Sequence, residues 1–177
     1  MDKYIYKRKA FNKEQCEQLI KAFENSDKVE SNERGYLGVY DVLDKYEFLF
    51  MKPILKEHVM NYADKHKFLH DMYSRWGITQ EFHLQKYVPG KSYSLEHMEH
   101  GKNAWDSKRL LGWMVYLNDI KNKGGTRWPQ QNFTSKPRAG DLYIWPAAWT
   151  HSHYGIAAPK EIKYIAIFAN HIINFKS

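Results

Sequence analysis

The chain has 177 residues, a formal net charge of +7, and 43% hydrophobic against 27% charged residues. That length suits one domain with a substantial core, and the balance is that of a globular chain, not a disordered or fibrous one. No stretch reaches the roughly 20 apolar residues of a membrane span, and residues 1–10, MDKYIYKRKA, lack the apolar centre of a signal peptide. One cysteine, Cys16, excludes an intramolecular disulfide and fits a reducing cytoplasm. Lysines are scattered and interleaved with acidic residues, so the positive charge reads as solvated surface before it reads as a nucleic-acid stripe.

Residues 4–11 read as a short strand leading into a helix, with Asn12 as N-cap and Gln15 as its capping-box partner. Cys16, Leu19, Ile20 and Phe23 follow at the spacing of an amphipathic helix, and a polar stretch from 24 to 34 breaks it. The helical pattern resumes over 48–68, with Leu49, Ile54, Leu55, Val59 and Tyr62 as the buried stripe and Pro53 starting or kinking the helix. From about residue 80 the period shifts towards two. Residues 82–88 form a strand that stops at the Pro89-Gly90 turn, and 93–99 form the next. A polar loop runs through Asp106, and the apolar run 110–117 is a buried strand. Residues 118–140, long, basic and turn-rich, read as a lid or binding loop. Strands at 141–145 and 162–172 complete the set. The expectation is a single α+β domain over 1–177: helical support over 1–80, and an antiparallel β-sandwich or jelly roll over 81–177.

The chemistry concentrates in YSLEHMEHG, residues 93–101, and WTHSHYG, residues 149–155. In a strand, side chains two apart share a face, so His97 and Glu99 can grip one ion, with a histidine of the second segment closing the triangle. Two imidazoles and a carboxylate leave coordination positions open, the arrangement that suits a non-haem Fe(II) centre. His151 and His153 compete for the third place. Neutral imidazole is required either way, so metal binding should weaken as pH falls through the histidine range. Lys163 lies in an apolar strand, where an ammonium group needs an anionic partner.

In order along residues 82–172, several segments resemble the Fe(II)/2-oxoglutarate-dependent dioxygenase superfamily, in its prolyl-4-hydroxylase-like branch. They are YVPGKSY (87–93), His97 with Glu99, YLND (116–119), GGTRW (124–128), PRAGD (137–141), Trp145-Pro146, His153, Pro159, Lys163 and Tyr164. The resemblance implies a double-stranded β-helix, or jelly roll, of antiparallel strands buttressed by N-terminal helices. It also implies Fe(II) held by His97, Glu99 and His153, with no catalytic side chain beyond these ligands. The ten-residue interval from His153 to Lys163 selects His153 over His151, and Lys163 becomes the anchor for the distal carboxylate of 2-oxoglutarate. Tyr87 and Tyr116 resemble the tyrosines that donate to the co-substrate carboxylates. One departure stands out: the usual carboxylate is Asp, and position 99 is Glu, as in short phage-type and bacterial members. A carboxylate there implies hydroxylation of a C–H bond, with release of succinate and carbon dioxide.

Peptidyl proline is the first substrate class. A free amino acid or a nucleobase is the second, the basic residues Lys121, Lys123, Arg127, Lys136 and Arg138 keeping nucleic acid open. A third reading is a zinc-binding or non-catalytic jelly roll, although closed zinc sites favour cysteine and a zinc hydrolase leaves Lys163 unexplained. Trp128, Trp145 and Trp149 fall near the expected cavity.

Overall fold

A computed structural model describes residues 2–31, 36–39, 49–72, 76–78, 83–101, 103–104 and 106–172. Strand β1 (Tyr6–Lys9) leads into helix α1 (Lys13–Glu24). Asn12 and Gln15 close the expected capping box, each side chain accepting from the other's backbone N–H at 2.8 and 2.9 Å, a device that stabilises a helix start by about 1 kcal/mol. Two short strands, β2 (Glu30–Ser31) and β3 (Leu37–Val39), precede helices α2 (Met51–Lys65) and α3 (Phe68–Met72). Then come β4 (Trp76–Ile78), β5 (His83–Tyr87), β6 (Arg109–Tyr116), β7 (Thr126–Trp128), β8 (Phe133–Thr134), β9 (Asp141–Pro146), β10 (Tyr154–Gly155) and β11 (Lys163–Ile172).

Among the described residues the main sheet runs β1-β9-β6-β11-β5-β3-β2, with β4 also paired to β11, and a smaller sheet runs β10-β7-β8. All the strand pairs are antiparallel. Alternation along β6 divides the core between two faces. Leu111, Trp113 and Val115 face α1 and α2, packing with Cys16, Leu19, Phe23, Leu55 and Val59. Met114 and Tyr116 face the other way, towards Trp128, Tyr143 and Trp145. Two antiparallel sheets with helices outside the larger one make the expected double-stranded β-helix. Among the described residues no helix is long and apolar enough to cross a membrane.

Several boundaries differ from the sequence reading. Residues 93–99 are not a strand: only His97 pairs, in an isolated bridge with His153. The opposing segment emerges from a 3₁₀ turn at Trp149–His151, so a continuous ladder has no partner, and Glu99 N–H and His100 N–H both turn to Ala147 O instead. Residues 118–140 are not irregular throughout. Trp128, 0% exposed, packs against the half-buried Phe133 where 126–134 form the β7–β8 hairpin, and packing these rings outweighs the local turn-rich composition. Helix α2 starts at Met51 with Pro53 in its first turn; Leu55, Val59 and Tyr62 are buried as expected, but Leu49 precedes the helix and is exposed. Phe48 and Phe82, the expected starts of a helix and a strand, lie outside the described residues. Ile162 is exposed, and the last strand begins one residue later, at Lys163.

Gly140 shows how the sheet and α1 are joined. Its carbonyl accepts from the N–H groups of Ala10 and Phe11, its φ is +79°, and a methyl group there would lie 1.9 Å from Phe11 O. Only glycine fits that approach.

Candidate active site

His97, Glu99 and His153 converge: their ligating atoms all lie within 4.8 Å of one another. The His97–His153 bridge does this with two backbone hydrogen bonds of 3.0 and 2.8 Å, which bring together residues far apart in the chain. Each ring is then aimed by a carbonyl. His97 Nδ1 lies 2.9 Å from Leu95 O and His153 Nδ1 3.0 Å from His151 O. With the proton on each Nδ1, each Nε2 lone pair is left for a metal. His153 is also packed by the indoles of Trp145 and Trp128, at centroid distances of 4.9 and 5.8 Å.

Glu99 is buried, and its Oε1 makes no hydrogen bond among the described residues, although His153 Nε2 lies 3.3 Å away. Burial is the strongest single influence on its titration and opposes ionisation. The His153 contact and the charges of His153, His97 and Arg109 together outweigh it, holding the carboxyl below its usual range. A buried, ionised carboxylate oxygen without a donor is costly unless a cation satisfies it. The donor set of two imidazole nitrogens and one carboxylate fits Fe(II) with positions left open. Arg109 fastens this loop, donating to Glu99 O at 3.2 Å and pairing with Asp106 at 2.8 Å.

The triad opens on a cavity of about 370 Å³ whose opposite wall is built by β5 and β11. Their register sets Tyr87 opposite Lys163, Gln85 opposite Ile165 and His83 opposite Ile167, all lining the cavity. Lys163 is 3% exposed, its Nζ rests 4.5 Å from the Tyr87 ring centroid, and it has no hydrogen bond or ion pair among the described residues. Burial pulls its pKa down to about 8 from 10.5. The Tyr87 hydroxyl donates to Gln85 Oε1 at 2.8 Å.

The structure thus brings five of the six expected residues to one cavity. Tyr116 is the exception: its hydroxyl lies 2.7 Å from Ser135 Oγ and 3.0 Å from Thr126 Oγ1, and of these Thr126 alone lines the cavity. Of the three tryptophans, Trp145 lines the cavity, Trp128 packs behind His153, and Trp149 is 70% exposed. The basic residues of 118–140 stay outside it; Arg127 bonds Thr134 and Asn132, and Arg138 pairs loosely with Asp119. Gln85, Arg109 and Tyr36 also line the cavity, and none of them belongs to the sequence expectation. Alternation from Tyr87 points to Gln85, whereas Tyr36 arrives from the start of β3 and has no local signal.

His151 faces away from the triad. Its Nδ1 contacts Thr150 Oγ1 at 3.0 Å, its Nε2 lies 3.5 Å from Asp2, and its ring meets the edge of Tyr4. What it offers His153 is a backbone carbonyl, which alanine retains. His151→Ala is therefore expected to keep measurable turnover; an activity as low as that of His153→Ala would reassign the third ligand.

No protein-family model and no curated protein sequence matches the chain. Solved structures do. A viral collagen prolyl hydroxylase from Paramecium bursaria Chlorella virus-1, solved with 2-oxoglutarate, is similar with a TM-score of 0.77 at 17% identity, covering 97% of each chain. A Pseudomonas putida prolyl-4-hydroxylase gives 0.73 at 12%, covering 97% of this chain and 94% of its own. A Trichoplax adhaerens prolyl hydroxylase, in complex with a hypoxia-inducible-factor degradation-domain peptide, gives 0.68 at 16%, covering 96% and 84%. The fold is that of the prolyl hydroxylases. The likeness extends beyond residues 82–172, where sequence motifs carry the resemblance, to nearly the whole chain, so the N-terminal strands and helices belong to the prolyl-hydroxylase fold as well.

Proposed function

We propose that this chain is a non-haem Fe(II)- and 2-oxoglutarate-dependent dioxygenase that hydroxylates a C–H bond, with peptidyl proline as the favoured substrate class. The observation that carries it is the cluster of His97, Glu99 and His153 together with a buried lysine that has no hydrogen bond or ion pair among the described residues, all in the walls of one cavity. The peptide bound to the Trichoplax relative and the 2-oxoglutarate bound to the viral one support the substrate and co-substrate classes. The single buried cysteine is in keeping with a reducing cytoplasm.

When bound, Fe(II) and 2-oxoglutarate supply the oxidative chemistry: dioxygen, 2-oxoglutarate and R–H become R–OH, succinate and carbon dioxide. The chain's own part is to bind and orient. His97 Nε2, His153 Nε2 and a Glu99 oxygen hold the metal. Lys163 pairs with the distal carboxylate, and the Tyr87 hydroxyl, freed from Gln85, donates to it. Tyr116 acts through Thr126, fixing that hydroxyl on the cavity wall. Trp145 and Met114 keep bulk water from the reacting centre. The test is Fe(II)-dependent formation of succinate from 2-oxoglutarate, stimulated by a proline-rich peptide. Stimulation by a free amino acid or by DNA, and not by the peptide, would redirect the substrate assignment.

The lysine anchor has a pH signature. Its ammonium form binds the carboxylate, and without ligand that form is lost as pH rises through about 8. Affinity for 2-oxoglutarate should be constant below that pH and fall above it, by up to about tenfold per pH unit. The sign for stability is opposite. From about pH 8 to 10.5 the unfolded chain holds a proton that the folded chain has released, so the ligand-free fold gains stability as pH rises. Calorimetric titration of 2-oxoglutarate across this range reads the first effect and thermal melting the second.

A further inference from the structure

Gly112 sits in the middle of β6, a strand paired on both sides, opposite Trp145 of β9 and Ala169 of β11. A glycine in a central strand weakens it and usually marks a close approach. No left-handed backbone requires it here, since Gly112 is absent from the positive-φ positions. It lies on the same face of β6 as Met114, the face that lines the cavity. The space a side chain would fill is already taken. A methyl group on Gly112 would stand 2.7 Å from Glu99 Cγ, and 2.9 and 3.0 Å from Trp145 Cε2 and Cζ2.

Resting on the reading of His97, Glu99 and His153 as metal ligands, we propose that Gly112 is the positioning residue that lets a glutamate serve where an aspartate is usual. Glutamate carries one more methylene between backbone and carboxylate. To deliver an oxygen beside His153 Nε2, 3.3 Å away, that methylene must be stowed off the direct path. Here it lies over the bare Gly112 Cα, with the Trp145 indole closing the slot. Aspartate at position 99 would reach along the direct path and leave the slot empty. Residues 99 and 112 therefore form a matched pair, glutamate with glycine, and a side chain at 112 fits aspartate better than glutamate.

Mn(II) titration by electron paramagnetic resonance, with thermal melting of the metal-free proteins, tests this on the full chain. The comparison is between the starting protein, Gly112→Ala, Glu99→Asp and the double variant. With Glu99 in place, Gly112→Ala should weaken Mn(II) by about tenfold or more, the effect of losing a residue that orients a ligand. On the Glu99→Asp background, the same alanine should leave affinity unchanged or tighten it, and should raise the melting temperature by filling the slot. Should Gly112→Ala fail to fold with Glu99, recovery of folding in the double variant supports the pairing and failure of both overturns it. Equal losses on the two backgrounds, within about twofold, would make Gly112 a packing residue only and overturn the proposal. A starting protein that binds no Mn(II) would instead strike at the metal centre itself, and this role would fall with it.

Discussion

Alanine in place of His97, Glu99 or His153 is expected to abolish turnover, each by removing one of three donors. The loss in metal affinity should exceed the roughly 10–100-fold that follows from removing a residue which merely orients a ligand. The fold should survive. His97 and Glu99 lie in an irregular segment held by backbone hydrogen bonds to His153 and Ala147, which alanine preserves. Metal content after reconstitution and melting of the apo-protein separate the two effects. Lost turnover with full metal content would mean that the triad serves something other than metal binding.

Lys163 gives the second large effect. Removing one partner of a buried charge pair costs about 3–5 kcal/mol, so Lys163→Ala should raise the 2-oxoglutarate requirement by roughly a hundredfold to a few thousandfold. Lys163→Met is the sharper variant, since its unbranched stem still packs on the Tyr87 ring, where the ammonium now rests at 4.5 Å. Metal binding should be untouched in both. The methionine variant should melt higher than the parent without co-substrate, having lost a buried ammonium that lacks an anionic partner among the described residues. A 2-oxoglutarate requirement unchanged in both variants would contradict the anchor role.

The site was legible in the sequence to the extent that its signals were local. The spacing of His97, Glu99, His153 and Lys163 names the cavity's polar residues, and the apolar run 110–117 gives the central strand. A strand would put His97 and Glu99 on one face, and the chain reaches the same result differently, through one bridge to His153. Such a bridge depends on a partner more than fifty residues away, and no period records it. Residues 118–140 show the limit of composition: their lysines and glycines describe the surface of the small sheet, while Trp128 and Phe133 decide its fold. Tyr116 shows the limit of motif likeness, because its neighbours Ser135 and Thr126 come from another part of the fold. The pairing of Glu99 with Gly112 is invisible until β6 is placed beneath the loop that carries the carboxylate.

The most direct measurement is an anaerobic titration of the metal-free protein with Fe(II) and then 2-oxoglutarate, read by the weak visible charge-transfer band of the chelate. The band is expected to form in the parent protein, to be absent from Glu99→Ala, and to need far more 2-oxoglutarate in Lys163→Met. A parent protein that takes up Fe(II) yet forms no band at saturating 2-oxoglutarate would contradict a 2-oxoglutarate-binding iron centre in this cavity.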